Sequence, residues 1–167
     1  MRKTLIGLAA SALLAAAPAH AVINSFVAFL SGANEVAAGD PDGFGIATVI
    51  IDASTNTVSW SVLASNIETP LSGAHIHNGP AGVNGPVIVN FSGAFSGNGL
   101  IDADLALITP ANAALFYVNL HNAVFPGGAI RGQLQFVGSV PEPATYGLML
   151  AGMGAIGLLA CRRRRNA

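Results

Sequence analysis

The residues best suited to chemistry in this sequence are two histidines separated by one residue, His75 and His77. They lie in a short run predicted to be a β-strand, and side chains two residues apart on a strand project from the same face. His121 lies on the polar face of another predicted strand, opposite Val118 and Leu120. If the two strands are neighbours, three imidazoles converge as ligands for one metal ion, with zinc or copper as the candidate cofactor.

A structural role for the histidines is the alternative, because an irregular loop with three glycines and two prolines, residues 78–86, directly follows the first pair. The imidazoles would then hydrogen-bond to loop backbone, and three asparagines would complete a polar network: Asn78, Asn119 and Asn122. Spacing alone does not decide between a metal site and such a network.

Arg131 is the only lysine or arginine between residues 22 and 139, a region with seven carboxylates. It follows Pro126-Gly127-Gly128, a segment able to bring backbone close to other groups. The composition predicts a structural ion pair for this guanidinium, with an anion contact beside the histidines as the alternative.

Other catalytic machinery is absent from the sequence. The region between residues 22 and 139 has no cysteine, and the chain has no serine elbow motif and no phosphate-binding glycine loop. The chain is therefore predicted not to be an enzyme, unless a metal at the three histidines supports redox chemistry.

The segments between turn residues are short and rich in valine, isoleucine, phenylalanine and threonine, which is typical of an all-β fold. Seven or eight strands predict an antiparallel β-sandwich, with the immunoglobulin-like arrangement as one of two candidates. The candidate strands are Ser25–Leu30, Gly45–Asp52, Thr57–Ala64, Ser72–His77, Val87–Ser92, Phe116–His121 and Ala129–Val137, with a weaker one near Leu100–Leu105.

Two strands show clear alternation, which predicts one buried and one solvated face. In the third strand the apolar set includes Trp60, predicted to be a core anchor. In the last strand the predicted buried set is Ile130, Leu134 and Phe136, and the predicted solvated set is Arg131, Gln133 and Gln135. A hairpin is predicted at 52–57, and Thr109 is predicted to cap one helical turn.

The N-terminus has the order of a secretory signal peptide over residues 1–21. Arg2 and Lys3 precede an apolar stretch, and small residues at Ala19 and Ala21 predict cleavage after Ala21 by signal peptidase. The sequence therefore predicts export.

The C-terminal segment has the sequence pattern of a membrane anchor, an apolar stretch followed by basic residues. Residues 144–161 are 18 uncharged residues, long enough for a transmembrane helix, and a basic cluster follows directly. Because this cluster resists translocation, the preceding domain should lie on the periplasmic side of an inner membrane. The cluster consists of Arg162, Arg163, Arg164 and Arg165.

These two segments leave a single domain at residues 22–139. Seven acids against one base give it a formal charge of −6. Such a domain repels phosphate backbones, so nucleic acid is excluded as a partner and cations are favoured.

The chain is identified as a member of the CHRD, or chordin-type, domain family over about residues 26–137. The resemblance is carried by four blocks, Phe29–Val36, Gly73–Pro80, Tyr117–Asn122 and Phe125–Leu134. It implies an extracellular β-sandwich module with no established enzymatic activity. The histidine pair and the ending Gly-x-Ile-Arg-Gly are also loosely similar to the copper/zinc superoxide dismutase sandwich, which supports metal binding as an idea.

Residues 140–167 resemble the PEP-CTERM sorting signal, because Pro141-Glu142-Pro143, the apolar helix and the arginines occur in order. This resemblance implies transient anchoring in the inner membrane and processing near Pro141–Pro143 by an exosortase-type enzyme. The mature product would then be released or held at the cell surface, in exopolysaccharide or biofilm matrix.

Three hypotheses follow. The first is a non-catalytic surface or matrix module that binds exopolysaccharide or surface proteins, and the second is a zinc- or copper-binding or redox domain. The third treats the tail as a permanent anchor, so that the protein works at the inner membrane.

Overall fold

The computed structural model describes residues 22–141 and 152–156. Nine strands occupy the first range, connected by turns and short 3-10 helices at Gly32–Asn34, Ala103–Leu107 and Ala113–Leu115. The strands are β1 Val22–Ser31, β2 Phe44–Asp52, β3 Thr57–Ser65, β4 Leu71–Asn78, β5 Val87–Asn90, β6 Ser96–Ile101, β7 Phe116–Asn122, β8 Ile130–Gln133 and β9 Gln135–Pro141.

All strand pairs described are antiparallel, in the order β5-β4-β7-β8-β1-β2-β3-β6, with β9 also paired to β1. The predicted all-β antiparallel class is confirmed. The sandwich is not made of two separate sheets, because one continuous sheet curls so that its two halves share a core. Buried residues of β1, β2 and β3 include Phe26, Val49 and Val58, and those of β4, β5 and β7 include Ile76, Val89 and Leu120.

Alternation explains why each half buries one face. On β2, Val49 and Ile51 are buried while Thr48 and Ile50 are exposed, as side chains of period two require. Trp60 packs against the core, as predicted: its ring stacks on Phe91 with 4.3 Å between centroids. The predicted hairpin at 52–57 is confirmed, because Asp52 pairs with Thr57.

The last predicted strand, Ala129–Val137, is wrong as a single element. It splits at Leu134, whose backbone N–H donates to the Phe116 carbonyl at 2.9 Å. The break lets β8 pair with β7 while β9 pairs with the first half of β1. The predicted faces fail here too, because Arg131 is buried and Phe136 is exposed.

Two local predictions are corrected. The weak strand near Leu100–Leu105 is β6, which ends at Ile101, followed by a 3-10 helix whose N-cap is Asp102. Thr109 does not cap the next turn: the side-chain carbonyl of Asn112 accepts the Thr109 backbone N–H instead, at 2.8 Å.

The predicted signal helix, residues 1–21, lies outside the described residues. Within the predicted anchor 144–161, residues 152–156 are described, and they are helical. Among the residues that the structure describes, no helix has the length and apolarity needed to cross a membrane.

Candidate metal centre

The register between β4 and β7 places all three histidines on one face of the sheet. Gly73 is the Cα partner of His121, and His75 is the partner of Asn119. The ring centroid of His75 lies 5.1 Å from that of His121 and 5.5 Å from that of His77. One nitrogen from each ring lies within 4.8 Å of the others. The two strands are therefore neighbours, as the metal hypothesis required.

Gly73 makes room for this cluster. A Cβ atom at that position would lie 2.7 Å from Cε1 of His75, closer than real Cβ contacts. Any larger residue at Gly73 would therefore push the His75 ring away from its present place beside His121.

Hydrogen bonds to carbonyl groups fix the tautomers of two of the rings. Nδ1 of His77 lies 3.0 Å from the Gly85 carbonyl oxygen, and Nδ1 of His121 lies 3.1 Å from that of Pro126. A carbonyl oxygen only accepts, so each Nδ1 carries the proton and each Nε2 of the neutral ring keeps its lone pair. Both Nε2 atoms are buried and have no hydrogen-bond partner, and the same is true of Nδ1 of His75.

The backbone network proposed as the alternative is thus present for His77 and His121. The asparagines do not complete it as predicted: the side-chain carbonyl of Asn122 accepts the backbone N–H groups of Val124 and Phe125, outside the 78–86 loop, and the oxygen of Asn119 has no partner. This network uses the Nδ1 atoms alone, so it orients the rings and leaves their Nε2 atoms for another partner. Orientation by an outer hydrogen bond is a common property of metal-binding histidines.

Burial lowers the pKa of all three imidazoles. For His75 it lowers the pKa to about 4, and repulsion from His121 and His77 adds to the effect. The rings are therefore neutral at neutral pH, which is the protonation state that a metal ligand requires.

Arg131, 1% exposed, lies against the ring of Tyr117, with its Cζ atom 3.4 Å from the ring centroid. His77 stacks on the same tyrosine, with 4.8 Å between centroids and nearly parallel planes. A candidate metal ligand and the buried guanidinium are thus linked through one aromatic ring.

The hydrogen bonds of Arg131 go to neutral groups. Its guanidinium donates to the carbonyl oxygens of Pro80 and Val83, each at 2.9 Å, and to Oδ1 of Asn84 at 3.2 Å. No carboxylate is among these partners. The composition predicted an ion pair, and hydrogen bonds to neutral groups take its place. Arg131 instead holds the glycine-rich loop that follows the histidine pair.

The loop in turn positions His77. Its Gly85 N–H donates to the hydroxyl oxygen of Tyr117 at 3.1 Å, while its Gly85 carbonyl accepts from His77. Gln133 adds a bond to the Gly79 carbonyl at 3.0 Å. With the three bonds from Arg131, five hydrogen bonds besides that of His77 fix the loop, which leaves the His77 ring little freedom to turn away.

Glu35 is a residue that sequence reasoning did not place near the histidines. Burial raises the pKa of this carboxyl to about 7, although attraction to Arg131 and the Asn119 amide act in the opposite direction. Its carboxyl packs on Gly128, where an added Cβ would lie 2.6 Å away. Glu35 lies in a loop, where no periodic pattern indicates which way a side chain points. Tyr117 and Asn119, by contrast, lie at two-residue spacing from His121 on one strand, so the sequence could have placed them on the same face as His121.

Comparison with known proteins gives two matches. The CHRD domain model matches residues 26–134, and the model of the PEP-CTERM protein-sorting motif matches residues 139–165. No curated protein and no solved structure matches the chain.

Glu35→Gln should change the pH dependence of stability. The folded-state pKa of Glu35, about 7, lies above its ordinary value, so ionisation costs the wild type stability as pH rises from about 4.5 to 8. The glutamine side chain cannot ionise, so the variant's melting temperature should exceed that of the wild type by a margin that grows over this range. Thermal unfolding followed by circular dichroism at several pH values measures the margin.

The control for this measurement is Glu68→Gln, which removes an exposed carboxyl. A margin for Glu35→Gln that stays constant from acid to alkaline pH would show that the Glu35 carboxyl has an ordinary pKa in the folded protein.

Proposed function

The chain belongs to the CHRD domain family and carries a PEP-CTERM sorting motif, and on that premise we propose that it is an exported, non-catalytic surface domain that binds one zinc or copper ion. The ligands are His75, His77 and His121. Two observations support this proposal: one nitrogen from each ring lies within 4.8 Å of the others, and each ring has a buried nitrogen without a hydrogen-bond partner.

A cation explains the three imidazoles better than a buried water does. Buried polar atoms without partners are costly, and native structures contain few of them. The fixed tautomers of His77 and His121 leave two buried lone pairs without a partner, and His75 brings a third unpaired nitrogen. A water molecule has two hydrogens to donate, whereas a metal ion accepts three lone pairs at once.

The donor set favours zinc or copper. Neutral imidazole nitrogens suit these ions, whereas calcium and magnesium take oxygen ligands. The formal charge of −6 on the domain adds a general attraction for cations at the cell exterior.

The sorting motif supports the route to that exterior. We propose that residues 144–161 hold the chain briefly in the inner membrane with the domain on the periplasmic side. An exosortase-type enzyme then processes it near Pro141–Pro143. The product reaches the surface or extracellular space, where exopolysaccharide or surface proteins are its neighbours.

An apolar groove favours a second candidate function, a matrix contact that needs no metal. The groove, about 610 Å³, lies where β2 begins and β3 ends and is lined in part by Phe44, Leu63 and Phe95. Phe44 is 56% and Leu63 72% exposed, a large apolar exposure for a solvated sheet face. This function would make the histidine cluster a structural network alone.

His75→Ala is the sharpest test of the metal proposal, because its Nδ1 atom has no hydrogen bond to lose. Purified full-length wild type, kept in detergent, should bind one zinc or copper ion per chain. At metal concentrations 100-fold above Kd, binding should add about 2.7 kcal/mol to the free energy of unfolding. His75→Ala should abolish both the bound metal and the stabilisation.

Asn90→Ala is the matched control, because Asn90 is the partner of His75 on β5 and is exposed. It should bind metal like the wild type. Equal metal content and equal stabilisation in wild type and His75→Ala would remove the histidine cluster as the binding site and leave the matrix contact as the better proposal.

Processing of the tail is tested by intact mass. Chain recovered from the exterior of the cell should lack about 25 C-terminal residues. Substituting Pro141, Glu142 and Pro143 with alanine should leave the tail uncut and the chain in the membrane fraction. A full-length tail on exported wild-type chain would support a permanent anchor instead.

A further inference from the structure

Two buried oxygen atoms remain without partners once the three histidines are assigned to a metal. Within the described part of the chain, five buried side-chain atoms lack hydrogen-bond partners, and the remaining two are Oδ1 of Asn119 and Oε1 of Glu35. An unpaired buried acceptor costs the desolvation of the group, so two beside one candidate metal centre require an explanation.

Asn119 borders the histidines by its position in the sheet. It is the Cα partner of His75 across the β4–β7 pair, and it lies two residues before His121 on β7. Its side chain therefore shares the face that carries the imidazoles. It is 2% exposed, so bulk water does not satisfy its oxygen.

Glu35 reaches the same region from the turn after β1. Its carboxyl lies against Gly128, two residues after the Pro126 carbonyl that accepts from His121. It also interacts with the Asn119 amide. Glu35 is therefore a neighbour of Asn119, and Asn119 in turn borders the histidines.

The Asn119 oxygen only accepts, and the Glu35 oxygen accepts when the carboxyl is ionised, so the missing group is a hydrogen-bond donor. Three histidines leave one position free on a four-coordinate ion, and water fills that position in zinc sites of the open kind. Such a water has two hydrogens, matching the two unpaired oxygens in number.

We infer that the metal centre is open, with an exchangeable water on its fourth position whose hydrogens are accepted by Asn119 and Glu35. This inference rests on the proposed metal-binding function. The ligand class that follows is small: water in the resting protein, and small anions that coordinate metals in exchange for it. The centre thus differs from a closed structural site, in which protein atoms fill every position.

Azide binding to the copper-loaded full-length chain tests the inference. Azide coordinates copper and produces a new charge-transfer absorption band, but it has no hydrogen to donate. Removing an acceptor weakens the binding of water to the copper and has little effect on the binding of azide. Asn119→Ala and Glu35→Ala should therefore each bind azide about three- to ten-fold more tightly than the wild type. Asn90→Ala, an exposed position on β5, should match the wild type.

The outcomes separate this inference from the metal proposal. Copper that is lost in His75→Ala but gives no azide band in the wild type would show a closed centre and overturn the inference while keeping the metal site. An azide band of equal affinity in wild type and both variants would also overturn it, because neither oxygen would then be holding the water that azide displaces. A copper spectrum that His75→Ala does not change would contradict both the metal-binding proposal and the inference of an open centre.

Discussion

The antiparallel register between β4 and β7 determines which side chains meet on each face of the sheet. Pairing His75 with Asn119 puts His75, His77 and His121 on one face, and it puts Ile76, Val118 and Leu120 on the core face. A slip of one residue along β4 would exchange these faces and bury imidazoles among aliphatic side chains. The same hydrophobic core that stabilises the domain therefore holds the three rings together, without a disulfide anywhere in residues 22–139.

A second layer of contacts turns that proximity into a defined geometry. Arg131 anchors the loop at residues 78–86, and the Gly85 carbonyl of that loop accepts a hydrogen bond from Nδ1 of His77. The Pro126 carbonyl does the same for His121. Buried arginine is costly unless its donors are satisfied, and here neutral carbonyls satisfy them. The only cation of residues 22–139 therefore acts on the candidate site by fixing its loop, and the site itself is electrically neutral before a metal enters.

The sequence predicted most of the strands and the shared face of His75 and His77, because both depend on a period of two that is visible residue by residue. It left open whether the strand of His121 is their neighbour, because strand order is not visible in a local pattern. The buried and exposed faces of the predicted strand Ala129–Val137 could not be predicted. The chain changes its pairing partner at Leu134, and that change depends on the positions of strands distant in sequence. The role of Arg131 was missed for a related reason. Its partners are backbone carbonyls of a loop about 50 residues earlier, and every sequence has such groups. Glu35 reaches Asn119 from a turn, where no alternation marks its direction.

X-ray absorption at the metal edge tests the central claim, three imidazoles held as ligands of one ion, most directly. For the full-length chain loaded with one equivalent of zinc, the account predicts three nitrogen neighbours at about 2.0–2.1 Å, with the outer-ring scattering of imidazole, and one further light atom. A spectrum like that of zinc in water, with oxygen neighbours alone and no imidazole scattering, would contradict it.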